Sequence, residues 1–356
     1  MKQPSVAAGI TAKQCSMLWL QRLLLVFVAL SGSSCATTPP DPWFDSFKTV
    51  PRNHPLDFPA QAERYLELSR QAHTDDDRCA AWEQAARALD RAPDGNGQRL
   101  WNQIEQSTEC GQLRARALYE QSRLAMENNR FLIARARLER LVVRWPTSYW
   151  ARRGTELVHM EARKLAKAGE MPAEWLLEWY RRNPPTILSG HLLYYASRIL
   201  HEESPETNEA SFYLLMLLFD HHTDSPLWTS GAWMAFDLLK EMGREGDESR
   251  LLEEALLPND HRGTDTLTGP FAEKVRLRLA RLYERQGRYE EAERALVWVI
   301  NYHHTVSLKD DALWMLARVY RSQGRPADRT SALRFLVHHC PWSRHLEEAQ
   351  RILDGR

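Results

Sequence analysis

Four positions recur at one fixed offset near the C-terminal end of this 356-residue chain. Ala280, Tyr283, Gly287 and Leu296 in LARLYERQGRYEEAERALVWVINYHH return 37 residues later as Ala317, Tyr320, Gly324 and Leu333 in LARVYRSQGRPADRTSALRFLVHHCP. A repeating unit of this length, with apolar residues spaced three and four apart, is a pair of helices. One such pair cannot bury its apolar face alone and must stack on the next copy. Each recurring residue has a packing reason. Ala280, Ala292 and Ala317 let helices approach closely, Tyr283 and Tyr320 fill the space between them, and Gly287 and Gly324 end the first helix of each pair.

The same ruler finds weaker copies upstream. From the turn residue Asn129 to Pro146 is 17 residues, the interval from Gly324 to Pro341. His221 to Ser225 (HHTDS) matches His303 to Ser307 (HHTVS), followed by Trp233-Met234 against Trp314-Met315 and Gly243-Arg244 against Gly324-Arg325. These matches predict hairpins over 113–146, 191–222, 230–257, 273–304 and 310–340, with a closing helix at His345 to Leu353. Residues 155–183 read as helical but out of register. A further hairpin over 59–92 is entered through Pro59 and through Thr74, whose following run Asp75-Asp76-Asp77 suits a helix N-terminus. Pro326 and Arg329 break the pattern, which predicts a late start for the last hairpin's second helix and a capping role. No window from Pro59 onward alternates with period two, so the fold class is all-α.

The spacing from Ala280 to Leu296 resembles the tetratricopeptide repeat, a helix-turn-helix unit of about 34 residues. The resemblance implies a right-handed superhelical solenoid of hairpins with a concave groove for protein partners. Pro146-Thr147-Ser148 and Pro341-Trp342-Ser343, where proline stops one helix and serine caps the next, are similar to segments of cell-envelope and outer-membrane assembly lipoproteins built from these repeats.

The N-terminus fits that resemblance. Arg22 precedes the apolar run Leu23 to Leu30, which is too short to cross a membrane as a helix, and small residues then lead to Cys35. Gly32-Ser33-Ser34-Cys35 resembles a bacterial lipoprotein cleavage box and implies a diacylated Cys35. Ser34 and Ala36 also form a site for ordinary cleavage, which leaves a secreted, untethered protein as the alternative. Ala36 in place of an aspartate implies the outer membrane. The expected organisation is an export segment over 1–34, a proline-rich tether over 35–58, N-terminal hairpins over 59–110, divergent repeats over 111–270, and the best-matching repeats with a capping helix over 271–356.

Charge narrows the partners. The chain carries 47 basic and 47 acidic residues, but Lys2, Lys13 and Arg22 fall in the export segment, which has no acid. The remainder is therefore mildly acidic, which gives no electrostatic case for nucleic acid. Gly95-Asn96-Gly97 lacks the continuation of a phosphate loop, so no nucleotide is expected.

Sites for chemistry are sparse. The pairs His221-His222, His303-His304 and His338-His339 read as helix C-termini, because adjacent residues point about 100° apart and cannot share a metal as an i, i+4 pair does. No metal and no cofactor are expected. Cys79 and Cys110 form either a disulfide in an oxidising periplasm or two buried thiols. Cys340 has no evident partner.

Twelve of the 13 tryptophans follow residue 35. Trp82, Trp233, Trp298 and Trp314 have core spacing. Trp145, Trp150, Trp175, Trp179 and Tyr180 cluster in the irregular stretch and are candidate partner contacts, with Arg181 and Arg182 beside them to meet an acidic partner. The expected function is a non-enzymatic, lipid-anchored scaffold that holds envelope proteins in its groove. The alternative is a helical accessory or enzyme of peptidoglycan remodelling, similar to lytic transglycosylases, although the repeats occupy the place of their catalytic domain.

Overall fold

The computed structural model describes residues 57–92, 95–183, 185–257, 269–302 and 306–355. Cys35, the export segment and most of the tether lie outside them. Among the described residues there are seventeen α-helices and no strand, and the chain divides into two compact units at Cys110–Gly111.

The first unit holds α1 (Phe58–Arg70), α2 (Asp75–Arg91), α3 (Gln98–Gln106) and a 3-10 turn at Thr108–Cys110. The Thr74 hydroxyl accepts the Asp77 N–H at 3.1 Å, and the three aspartates occupy the first turn of α2. Carboxylates there face the positive end of the helix dipole. Buried Ala62, Ala81, Ala85 and Ala88 let α1 and α2 close on each other. Asp90 then ties α3 back, accepting the Gly97 N–H at 3.0 Å and the indole N–H of buried Trp101 at 2.7 Å. Cys79 on α2 is bonded to Cys110 across 31 residues. Closing a loop of that length contributes about 3–4 kcal/mol by restricting the unfolded chain.

The second unit is a stack of helical hairpins. They are α4 (Leu113–Glu127) with α5 (Phe131–Arg144), α6 (Tyr149–Met160) and α7 (Ala162–Lys167) with α8 (Pro172–Arg182), and α9 (Ile187–Glu203) with α10 (Asn208–His221). There follow α11 (Trp228–Glu241) with α12 (Glu245–Ala255), α13 (Pro270–Arg285) with α14 (Tyr289–Asn301), and α15 (Val306–Ser322) with α16 (Pro326–His339). The helix α17 (Leu346–Leu353) packs on α16 and closes the stack. Each second helix packs on its own first helix and on the first helix of the next hairpin, which is the arrangement that buries apolar faces one copy at a time.

One turn serves five of these hairpins. Gly287 and Gly324 have φ of 74° and 70°, and the next residue closes the first helix, Arg288 N–H donating to Tyr283 O at 2.8 Å and Arg325 N–H to Tyr320 O at 2.9 Å. Asn129, Gly169 and Gly243 repeat this geometry. Only α9 and α10 differ, being joined through the 3-10 turn Pro205–Thr207.

The structure changes three expectations. Residues 155–183 are not out of register: α6 bends at Glu161 into α7, and Gly169 makes the common turn before α8, so this is a complete hairpin with an extended first helix. The second helix of the last hairpin does not start late. It begins at Pro326, a position where the missing N–H costs nothing because no helical acceptor exists for it. Ser148 caps α6 by accepting the Ala151 N–H at 3.1 Å, but Ser343 accepts the His345 N–H at 3.1 Å and α17 starts only at Leu346. The second serine therefore shapes the turn and caps no helix.

The repeat-defining residues sit in the core. Ala280 and Ala292 are fully buried, and Ala317, Tyr283 and Tyr320 are nearly so. Each tyrosine reaches back to the previous hairpin's second helix, Tyr283 donating to Glu253 at 2.6 Å and Tyr320 to Glu293 at 2.9 Å. The turn arginines Arg288 and Arg325 lie 4.3 and 4.4 Å from those rings. Burial, then the acceptor carboxylates, push both phenols up to about 12. Trp145, His222 and Cys340 end three second helices with φ of −133°, −135° and −130°. His222 thus occupies a repeat position also filled by an indole and a thiol, which is a packing role.

Candidate functional site

Because the second helices lie between hairpins, the first helices supply a separate face, and α4 touches α6, α6 touches α9, and α13 touches α15 along it. Three groups of side chains stand on it. On α4 and α6, the Trp150 ring lies 5.2 Å from Tyr119 and 5.1 Å from Tyr149, with the Arg116 guanidinium 4.7 Å from its centre. Tyr119 is buried, Trp150 half-buried and Tyr149 56% exposed. This gradient gives an anchored aromatic cluster with one open edge, the composition in which interface energy concentrates.

Between α6 and α9, His159 contacts Glu202 at 3.2 Å and stacks near Tyr195 at 5.3 Å. His191 is buried beside Tyr195, and neither ring nitrogen has a hydrogen-bond partner. Burial, reinforced by Arg152, lowers its pKa to about 4, and burial also lowers His159 despite Glu202. Both rings are neutral at pH 7.

The third group is a groove of about 570 Å³ on α11, α13 and α15, to which α12 adds Glu248. Lys274, Arg278, Arg281 and Arg285 follow one another at helical spacing along one side of α13. Trp233, Leu277 and Leu308 supply its apolar part. Arg278 is held by Asp237 and Glu248, both at 2.6 Å. A smaller pocket of about 280 Å³ among α7, α8 and α9 is lined by Ala162, Ala166, Met171, Pro172, Ile199 and Leu200.

The proposed aromatic contacts separate. Trp175 and Trp179 are 1% and 0% exposed, so they are core residues and not partner contacts. Their helix, α8, packs against both α9 and α5, and burial of both indoles fills that space. Trp145 is half-buried with Arg114 5.5 Å from its ring, and Tyr180 is half-buried 3.4 Å from His222. Trp150 alone joins an aromatic cluster with an exposed edge. Arg182 pairs with Glu139 and Glu178, so its charge is used within the protein, whereas Arg181 is exposed. Trp82, Trp233, Trp298 and Trp314 are all half-buried; Trp298 lies beneath Arg276 at 3.6 Å, and Trp314 stacks on His345 at 4.9 Å.

Sequence reasoning missed the basic side of α13, whose spacing was visible, and Trp342, which is 59% exposed. The Cys340 thiol is fully buried, and burial pushes its pKa up, which keeps it protonated and unreactive. Among the described residues no three His, Cys, Asp or Glu side chains converge on a metal position. His303 and His304 lie outside the described residues.

Comparison with known proteins agrees with the hairpin architecture in one segment. No curated protein matches the chain. Among solved structures it is similar to PilF of Pseudomonas aeruginosa, at 16% identity over 68% of this chain and 99% of that one, with a TM-score of 0.39. It is also similar to BtubC of P. vanneervenii, at 12% identity over 68% of this chain and 93% of that one, with a TM-score of 0.38. Residues 277–328, which run from α13 into α16 and include Ala280, Gly287 and Gly324, match the tetratricopeptide repeat family.

Proposed function

We propose that the protein is a non-enzymatic scaffold of the bacterial cell envelope, tethered by an acyl chain on Cys35 to the periplasmic face of the outer membrane, which binds partner proteins on the face built by its first helices. The observation that carries this reading is the Trp150 cluster: an indole fixed between Tyr119 and Arg116, with Tyr149 open beside it. Trp, Tyr and Arg held rigid by their neighbours lose little conformational freedom on binding, so their contact area converts to affinity with little offset. Stacked hairpins present such residues along an extended surface, which suits partners recognised by shape.

The tether and the scaffold are tested separately. Mass spectrometry of the mature N-terminus is expected to find a diacylglyceryl mass on Cys35; a free terminus at Thr37 would remove the tether and leave a secreted repeat protein. Chemical crosslinking in intact cells, followed by purification and mass spectrometry, is expected to recover a small set of envelope proteins that Trp150→Ala depletes. Recovery unchanged by that substitution would contradict the assigned face. Release of soluble fragments from peptidoglycan by the purified protein would contradict the non-enzymatic reading.

A further inference from the structure

The groove on α11, α13 and α15 carries an excess of charge that the fold does not use. Three of its cations are neutralised at home: Arg278 by Asp237 and Glu248, Arg285 by Glu245 at 3.2 Å, and Arg318 by Glu284 at 3.1 Å. Its remaining acid, Asp311, is taken by Arg344 at 2.8 Å and by His345. Lys240, Lys274 and Arg281 also line the groove, are exposed, and have no hydrogen-bond or ion-pair partner among the described residues. Every acid of the lining is therefore paired and three cations are not. Exposed like charges repel one another and contribute nothing to folding by standing together, so their placement is informative against a chain with no net charge.

Resting on the reading of the second unit as a protein-binding scaffold, we infer that this groove docks an acidic peptide segment of a partner, with carboxylates meeting Lys240, Lys274 and Arg281 and an apolar side chain against Trp233 and Leu308. Lys274 and Arg281 stand two turns apart on α13, roughly 10 Å, a span their long side chains can close onto carboxylates two residues apart on one face of an extended strand, roughly 7 Å. The geometry disfavours nucleic acid. A phosphodiester chain carries a charge at every nucleotide, including where the lining is apolar, whereas a peptide can set neutral or apolar residues against Trp233, Leu277 and Leu308.

The test is fluorescence anisotropy with the full chain at low salt and a labelled twelve-residue peptide that alternates Asp or Glu with Leu. The acidic peptide is expected to bind at least tenfold tighter than its Asn/Gln counterpart. The double substitution Lys274→Glu with Arg281→Glu is expected to weaken it at least tenfold, and Lys274→Ala with Arg281→Ala several-fold. Arg294→Glu with Arg334→Glu, exposed cations on the second helices, is expected to leave binding within twofold, with circular dichroism confirming that each variant folds. Equal binding of the neutral peptide, or equal loss from both double reversals, would overturn the assignment. So would tighter binding of a twelve-nucleotide oligo-dT through Lys274 and Arg281. Partner recovery in cells that persists when the groove charges are reversed would leave the scaffold standing and remove only the acidic-segment inference.

Discussion

The hairpin at 149–182 and the hairpin at 306–339 make the same turn, at Gly169 and at Gly324, yet fill their interiors differently. In the later one, small Ala312, Ala317 and Ala332 bring helices together, and the seam to the previous hairpin is the Tyr320 hydroxyl on Glu293 beneath Arg325. In the earlier one, the indoles of Trp175 and Trp179 project from the second helix into the core, and the Trp179 N–H has no acceptor. Its first helix is also longer, bent at Glu161. The turn and the stacking are thus conserved features of the architecture, whereas core volume can come from either helix. Large aromatics committed to the core are lost to binding, and the aromatics proposed for binding, Trp150 and Tyr149, come from the opposite helix of that same hairpin.

Substitutions can break this comparison, starting with the largest effect. Trp179→Ala empties a fully buried site and is expected to cost about 3–5 kcal/mol in urea unfolding, since truncation of a large core side chain loses both transfer energy and packing. A loss below about 1 kcal/mol would show that the indole is not core. The pH response comes next. His191 has a folded pKa of about 4 against an ordinary 6.5, so stability is fully present above pH 6.5 and is lost as pH falls towards 4, where the unfolded chain binds the proton first. The slope contributed by this ring is up to about 1.4 kcal/mol per pH unit. His191→Phe keeps a ring and is expected to flatten the profile of unfolding midpoint against pH between 6.5 and 4.5; an unchanged profile would place the titration elsewhere.

On the regular side, Ala317→Leu forces three methylene-sized groups into a close helix contact and is expected to cost about 1–3 kcal/mol, measured the same way. Gly324→Ala places a Cβ at φ of 70° and is expected to cost about 1 kcal/mol. Gly324→Asn is expected to cost less, because Asn129 already holds this conformation at φ of 57° in the first hairpin of the unit. Equal losses for Ala and Asn would mean that the turns are not equivalent.

The contrast also explains what was legible from sequence. Gly287, Gly324, Ala280 and Ala317 are informative because a left-handed turn and a close approach each admit few residue types, and the spacing between them fixes the hairpin. Trp175 and Trp179 were misread because WLLEWYRR is apolar on several sides, so spacing does not say which side meets the core. Arg182 looked free because its acids, Glu139 and Glu178, include one from another helix pair. The basic side of α13 was written at helical spacing, but which of its charges are spare depends on Asp237, Glu245 and Glu248, contributed by other helices. Proline at 326 was read as an interruption, although at the first helical position it is a start signal.

The claim that the first helices form the working face is tested most directly by placing a photo-crosslinking amino acid at single positions of the protein in living cells. Tyr149 and Arg281 report on the first helices, and Leu132 and Arg294, exposed on second helices, serve as the reference. Discrete crosslinked protein bands are expected from Tyr149 and Arg281 and not from Leu132 or Arg294. Bands of equal yield from the second helices, or bands from those positions alone, would contradict the assignment.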